Sequence, residues 1–164
     1  AVLFDEIGIK SKFHALIDID SCLAQGLEVD GSTIAWWLDQ QTKADAQPFA
    51  KNRQHIYDAL VDFNDFVRKS VPQPNKLQVW GNGASFDQPI LVNAFSKCRI
   101  QLAWKFWNDR CYRTVKNQFP EIKLERIGKH HNGVDDSESQ AVHLIKIHNH
   151  AHAIYDYYQC KKDC

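Results

Sequence analysis

From Asn52 to Ser70 the apolar residues Ile56, Ala59, Leu60, Phe63, Phe66 and Val67 recur at three- and four-residue spacing. A helix turns that spacing into one buried stripe with a solvated face opposite. "VPQPN" ends the helix, because proline cannot donate to the ladder and restricts the residue before it. "KLQVWGNG" then reads as a buried strand closed by a glycine-rich turn, and "ASFDQPILVNAF" as a further helix, with Ser85 as its expected cap and Pro89 in its first turn. Helix, strand, glycine turn and helix in direct succession place the chain in the α/β class, with a mixed sheet flanked by helices.

The flanking segments extend that pattern. Val2 to Glu6 reads as a strand, Gly8 and Lys10 to Lys12 as a turn, and Phe13 to Ile19 as the returning strand of a hairpin. Cys22 to Asp30 is a loop, after which Ser32 or Thr33 can cap a helix through "TIAWWLDQQT". "AWKFWND" reads as a short extended segment, "DRCYRTVKNQF" as the start of a helix, and Pro120 to Gly133 as a polar loop. A terminal helix runs from Asp135 to Tyr158, with Ala141, Leu144, Ile145, His148, Ala151, Ile154, Tyr155 and Tyr158 near one stripe. No repeat or linker divides the 164 residues, so one domain spanning residues 1–164 is expected.

Composition removes several function classes. An apolar fraction of 44% argues against disorder. The formal net charge is zero, so a nucleic-acid partner would have to be met by a local patch. No stretch reaches the roughly 18 apolar residues of a membrane span, and no signal peptide precedes the first strand. The five cysteines are odd in number, widely spaced and without a C-x-x-C, which fits reduced thiols in a cytoplasm better than disulfides or a zinc site. Cys160 and Cys164 are the one pair close enough in sequence to consider joining. The chain begins "AVLFDE" and contains no methionine, which suggests that its natural beginning lies upstream.

Two constellations can carry chemistry. In "VWGNGASFD" a strand ends in Gly-x-Gly and Asp87 opens the next helix. Glycines there allow close backbone approach, and the carboxylate can hold a metal or complement the helix dipole. In "HHNGVDDSESQA" His131 precedes Asp136 by five residues across a tight Asn132-Gly133 turn. A loop histidine beside a helix-borne carboxylate suits a general base next to a metal ligand, or equally a surface loop with a capping acid. His148 and His152 are spaced i, i+4 but lack an apparent third ligand, so with His143 and His150 they read as a partly exposed helix face. Trp36 and Trp37 could stack on bases, although one at least suits a core. Lys51, Arg53, Arg68, Lys69, Lys105, Arg110, Arg113 and Lys116 could line a phosphate-facing stripe or be scattered and solvated.

Taken together, "TIAWWLDQ", "VWGNGASFDQPIL", "WKFWNDRCYRT" and "HNGVDDSESQA" resemble, in order and over almost the whole chain, the DEDDh 3′–5′ exonucleases of the RNase H-like superfamily, in the branch of exodeoxyribonuclease VIII and related phage enzymes. The resemblance implies metal-dependent hydrolysis at a nucleic-acid 3′ end, with two Mg²⁺ or Mn²⁺ ions about 3.5–4 Å apart. It implies Asp87 and Asp136 as metal ligands and His131 as the base. Asn82, Asn108, Arg110 and Arg113 are the implied nucleic-acid contacts. The family text H-N-A-x-D-D sets the register on His131 and Asp136 rather than on His130 and Asp135. Gly133 and Ser137 replace alanines, and Cys111 stands where the family has an acid. A DNA or RNA strand is the implied partner in a bacterial or phage-infected cytoplasm, and a homodimer is compatible with it. The alternative is an inactive RNase H-like binding or interaction module; a phosphodiesterase for small nucleotides is a weaker one.

The family also needs D-x-E on its central first strand. "IDID", with Asp18 and Asp20, has a strand before it and only a dozen residues before the next helix, which leaves no room for two further strands. It therefore reads as the polar end of an outer hairpin strand, with a degenerate D-x-D first motif as the alternative. The strand bearing the first acids is expected before Ala1. Its absence would leave ladder groups exposed beside the hairpin and the Leu77–Trp80 strand.

Overall fold

The computed structural model describes residues 1–41, 53–83, 85–129 and 131–160. They form a mixed α/β chain of four short strands and six α-helices. The chain divides into two compact units: Ala1–Lys12 with Tyr112–Cys164, and Phe13–Cys111.

In the first unit, β1 (Val2–Phe4) pairs antiparallel with β2 (Ile9–Lys12), matching Val2 to Lys12 and Leu3 to Ser11. The return strand is thus "IKSK", where a turn was expected, and Phe13–Ile19 is not a strand. Asp5 explains the shift. Its Oδ1 accepts the amides of Ile7 (3.0 Å) and Gly8 (3.1 Å), closing the turn four residues earlier than Lys12. The alternation of Ile9 and Ser11 with exposed Lys10 and Lys12 is the period-2 signal that marks the strand. Both strands lie against α6 (Gly133–Cys160), which also packs on α5 (Tyr112–Gln118). The buried face of α6 is Ser139, Ala141, His143, Leu144 and Ile147, whereas Ile154 and Tyr155 of the expected stripe are exposed.

The second unit contains α1 (Ile19–Ala24), α2 (Gly31–Gln41), α3 (Ile56–Ser70), β3 (Val79–Gly81), α4 (Asp87–Lys97) and β4 (Asp109–Cys111). Strand β3 pairs with β4 in parallel, Val79 opposite Asp109 and Gly81 opposite Cys111. Among the described residues, two two-stranded sheets stand in place of the expected single mixed sheet. Residues 109–111, read as helix from sequence, are taken into the ladder, and α5 begins only at Tyr112. The predicted stripe of α3 holds: Ile56, Ala59, Leu60 and Val67 are buried, and Ile56 and Leu60 join Ala94, Phe95, Cys98 and Trp104 in one cluster.

The caps differ from expectation in an instructive way. Asp18 caps α1, accepting the Ser21 amide at 3.0 Å. Asp30, not Ser32 or Thr33, caps α2: its Oδ1 accepts the Thr33 amide at 2.7 Å, and both hydroxyls donate to it instead. Those bonds hold the Asp30 carboxyl below its ordinary pKa. Ser85 does not cap α4, whose N-cap is Phe86 without a side-chain bond. Among the described residues no helix is long and apolar enough to cross a membrane. Cys22 and Cys98 are free thiols, and burial raises the pKa of both. Cys164 of the suggested Cys160–Cys164 pair lies outside the described residues.

Candidate active site

Asp87 sits exposed in the first turn of α4, directly after the β3 turn. Its placement is owed to its neighbour. Gln88 is buried, and its Nε2 donates to the carbonyls of Val79 (3.3 Å) and Arg110 (2.8 Å), tying α4 to both strands. Gly81 makes the approach feasible, since a Cβ there would lie 2.5 Å from Gln88 Oε1 and 2.9 Å from the Asp87 Cβ. Gln88 carries no charge and breaks no pattern, so only its position after the aspartate in a first helical turn hinted at a role.

His131 and Asp136 lie in the first unit. Asn132 Oδ1 accepts the amides of Val134 (3.1 Å) and Asp135 (3.3 Å) at the start of α6. Asn132 also donates its own amide to the Lys129 carbonyl at 3.2 Å, closing a turn over residues 129–132. His131 stands at that corner with φ of 64°, a left-handed conformation that a non-glycine residue adopts only when its surroundings fix it. The two adjacent acids divide their work. Asp135 Oδ2 accepts the Lys129 amide at 2.8 Å and serves the backbone. Asp136 instead pairs with the Arg126 guanidinium at 2.8 Å and keeps a half-exposed carboxylate beside a cation. His130, which the other register would pair with Asp135, lies outside the described residues.

Gly128 completes the corner. Its φ is 68°, and a Cβ there would meet the Asp135 carboxyl at 2.4 Å.

The implied nucleic-acid contacts are not alike. Arg110 Nη1 donates to the carbonyls of Trp107 and Asp109, both at 2.9 Å, so its guanidinium is occupied with its own backbone. The Asn108 side-chain amide donates to the Asn75 carbonyl. Arg113 is exposed on α5. Of the wider cationic set, Lys69 pairs with Asp65 at 3.1 Å and Lys116 lies over the Tyr112 ring, while Lys51 lies outside the described residues.

His143 departs furthest from expectation. It is buried, not part of an exposed histidine face. Its Nε2 lies 2.8 Å from the Ile122 carbonyl, which can only accept, so that nitrogen carries the proton. Its Nδ1, 2.7 Å from the Tyr112 hydroxyl, then accepts from it. His148, His150 and His152 are exposed as expected.

In the second unit Asp87 is an exposed carboxylate, and Asn82 Oδ1 and Gln88 Oε1 are buried acceptors without a hydrogen-bond partner among the described residues, oxygens of the hard kind that a divalent cation takes. Yet no group of three or more His, Cys, Asp or Glu among the described residues is arranged to hold a metal ion.

The sequence profile of a family described as the 3′-5′ exoribonuclease Rv2179c-like domain matches residues 1–148. A protein of Enterobacteria phage T4 named Exodeoxyribonuclease is 35% identical over 129 residues, which is 68% of this chain and 54% of the relative. The chain thus spans about half the length of the curated relative it matches. No solved structure matches. The profile match runs through Asp87, His131 and Asp136.

Proposed function

The chain belongs to the 3′-5′ exoribonuclease Rv2179c-like domain family, and from that premise we propose that it acts as an exonuclease, hydrolysing phosphodiester bonds from a nucleic-acid 3′ end. The carrying observation is that the family match spans every candidate residue of both units. The phage relative, also named for exonucleolytic activity, supports the same reaction class.

Within this reading Asp87 and Asp136 would be two of the carboxylate ligands of Mg²⁺ or Mn²⁺ in a DEDDh-type centre on an RNase H-like scaffold. The cations would supply Lewis-acid stabilisation of the phosphate. His131 takes the proton from the attacking water; its fixed corner between two hydrogen-bonded turns favours that role. Arg113, exposed on α5, is the strongest phosphate contact of the four proposed. A cytoplasmic setting and a homodimer belong to the same proposal.

The names of family and relative point to RNA and DNA respectively, so the test uses both. DNA and RNA strands of one sequence, labelled at the 3′ end, are incubated with the protein in Mg²⁺, Mn²⁺ or EDTA. Label is released first and only with a divalent cation. His131→Asn tolerates the left-handed backbone but cannot act as a base, so kcat falls about 10²- to 10⁴-fold while the thermal midpoint holds. Unchanged turnover by that variant removes His131 from the chemistry. Binding of both strands without digestion by the unaltered protein would replace the enzyme with the non-catalytic module.

A further inference from the structure

Among the described residues the segment between α5 and α6 holds no helix or strand, yet it carries Arg126 and His131. Its backbone is held by three side chains of α6 spaced four residues apart. His143 Nε2 donates to the Ile122 carbonyl (2.8 Å), Ser139 Oγ accepts the Ile127 amide (2.9 Å), and Asp135 Oδ2 accepts the Lys129 amide (2.8 Å). Residues at i, i+4 and i+8 share one helical face, so the segment runs antiparallel to α6 along a polar ladder. Two ion pairs flank it, Arg126 with Asp136 (2.8 Å) and Lys146 with Glu125 (2.8 Å).

The middle rungs are the unusual ones. Ser139 and His143 are among the most buried side chains of the chain, and both are polar. Ser139 also donates to the Asp135 carbonyl at 2.7 Å, and His143 accepts from Tyr112, so each is satisfied on both sides. A helix needing only to pack would fill these positions with apolar residues. Buried polar groups that are fully satisfied fix one arrangement against its neighbours, which suits a segment that must hold reacting groups in register.

We propose that Ser139 and His143 are positioning residues: they act through the backbone of residues 122–129 to set the corner at His131 and the Arg126–Asp136 pair. The inference rests on the exonuclease reading for its chemistry, while the ladder itself can be measured without turnover.

The test is Ser139→Ala in the purified protein, with His143→Phe as a second variant that keeps a buried ring and removes both bonds. Amide hydrogen exchange is read at Ile127 and Lys129, and kcat and KM on the labelled strand. Val67→Ala, a buried truncation in the other unit, serves as a stability control. The Ile127 amide exchanges roughly tenfold faster in Ser139→Ala. Its kcat falls about tenfold or more with KM changed less than about twofold, because loss of register acts on the reacting geometry. The Val67→Ala protein keeps its kcat. Faster exchange with unchanged kcat overturns the positioning role, and unchanged exchange overturns the ladder. If the unaltered protein digests neither strand, the exonuclease reading falls and takes the positioning role with it; the exchange result still reports separately on the ladder.

Discussion

The two units solve the same problem with different chemistry. In Phe13–Cys111 the most buried large side chain is Phe95, whose ring lies 6.5 Å from Phe63 and 6.0 Å from Trp104 within the cluster of α3 and α4. In the unit of Tyr112–Cys164 with Ala1–Lys12, the most buried side chains are Tyr112, His143 and Ser139, each bearing a polar atom that is hydrogen-bonded. The first centre is fixed by area and ring packing, which tolerate adjustment; the second by directional bonds, which do not. Asp87 thus stands at the edge of an apolar core, whereas His131 and Asp136 stand at the end of a polar ladder.

Truncation should expose that contrast most strongly at Phe95. Phe95→Ala removes a ring with 1% exposure from between two others and is expected to destabilise the protein by about 3–5 kcal/mol. Chemical denaturation measures it. A loss below about 1 kcal/mol would mean that the cluster collapses around the gap and that the second unit is less close-packed than its rings suggest.

The polar centre should respond to pH instead. Burial raises the Tyr112 phenol above its ordinary pKa of 10.0, with the Arg126 charge offsetting part of the shift. For a group whose folded pKa is raised, the stability it contributes is complete below the unfolded value and is lost as pH rises through the folded one. Stability should therefore decline from about pH 10 upward. Tyr112→Phe should remove this decline and leave His143 Nδ1 without its donor, at a cost of about 1–3 kcal/mol at neutral pH. Unfolding curves at pH 8 to 11 for both proteins check the sign; an identical alkaline slope would show that other groups govern it.

The same contrast decides what was legible in the sequence. The α3 stripe and the β3 strand were readable because burial of apolar residues repeats with the period of the element, as at Ile56, Leu60 and Val67. The candidate residues Asp87, His131 and Asp136 stood out because acids and histidines around glycine turns are rare in a core-building pattern. What escaped was carried by single hydrogen bonds with no period. Asp5 closing the hairpin turn moved the return strand to Ile9–Lys12, Gln88 anchored α4, and His143 turned inward to the Ile122 carbonyl. Nothing in the spacing of the histidines on α6 separates the buried His143 from the exposed His148.

The smallest expected effect settles the pair Asp18 and Asp20. Read as a D-x-D motif, both carboxylates would be needed for turnover. The structure gives them unequal local duties: Asp18 caps α1 through the Ser21 amide, and Asp20 is an exposed acid in that helix's first turn. Asp18→Ala should cost about 1 kcal/mol of stability through the lost cap. Asp20→Ala should stay within about 0.5 kcal/mol, having only the helix dipole to complement. Both variants should digest a 3′-labelled strand at the unaltered rate. Loss of digestion in either, with the fold intact by thermal unfolding, would reinstate the pair as a metal-binding motif. It would also make α1 part of the chemistry, because a carboxylate whose removal leaves the fold standing but abolishes turnover must be acting on the substrate or its cation rather than on the helix it caps.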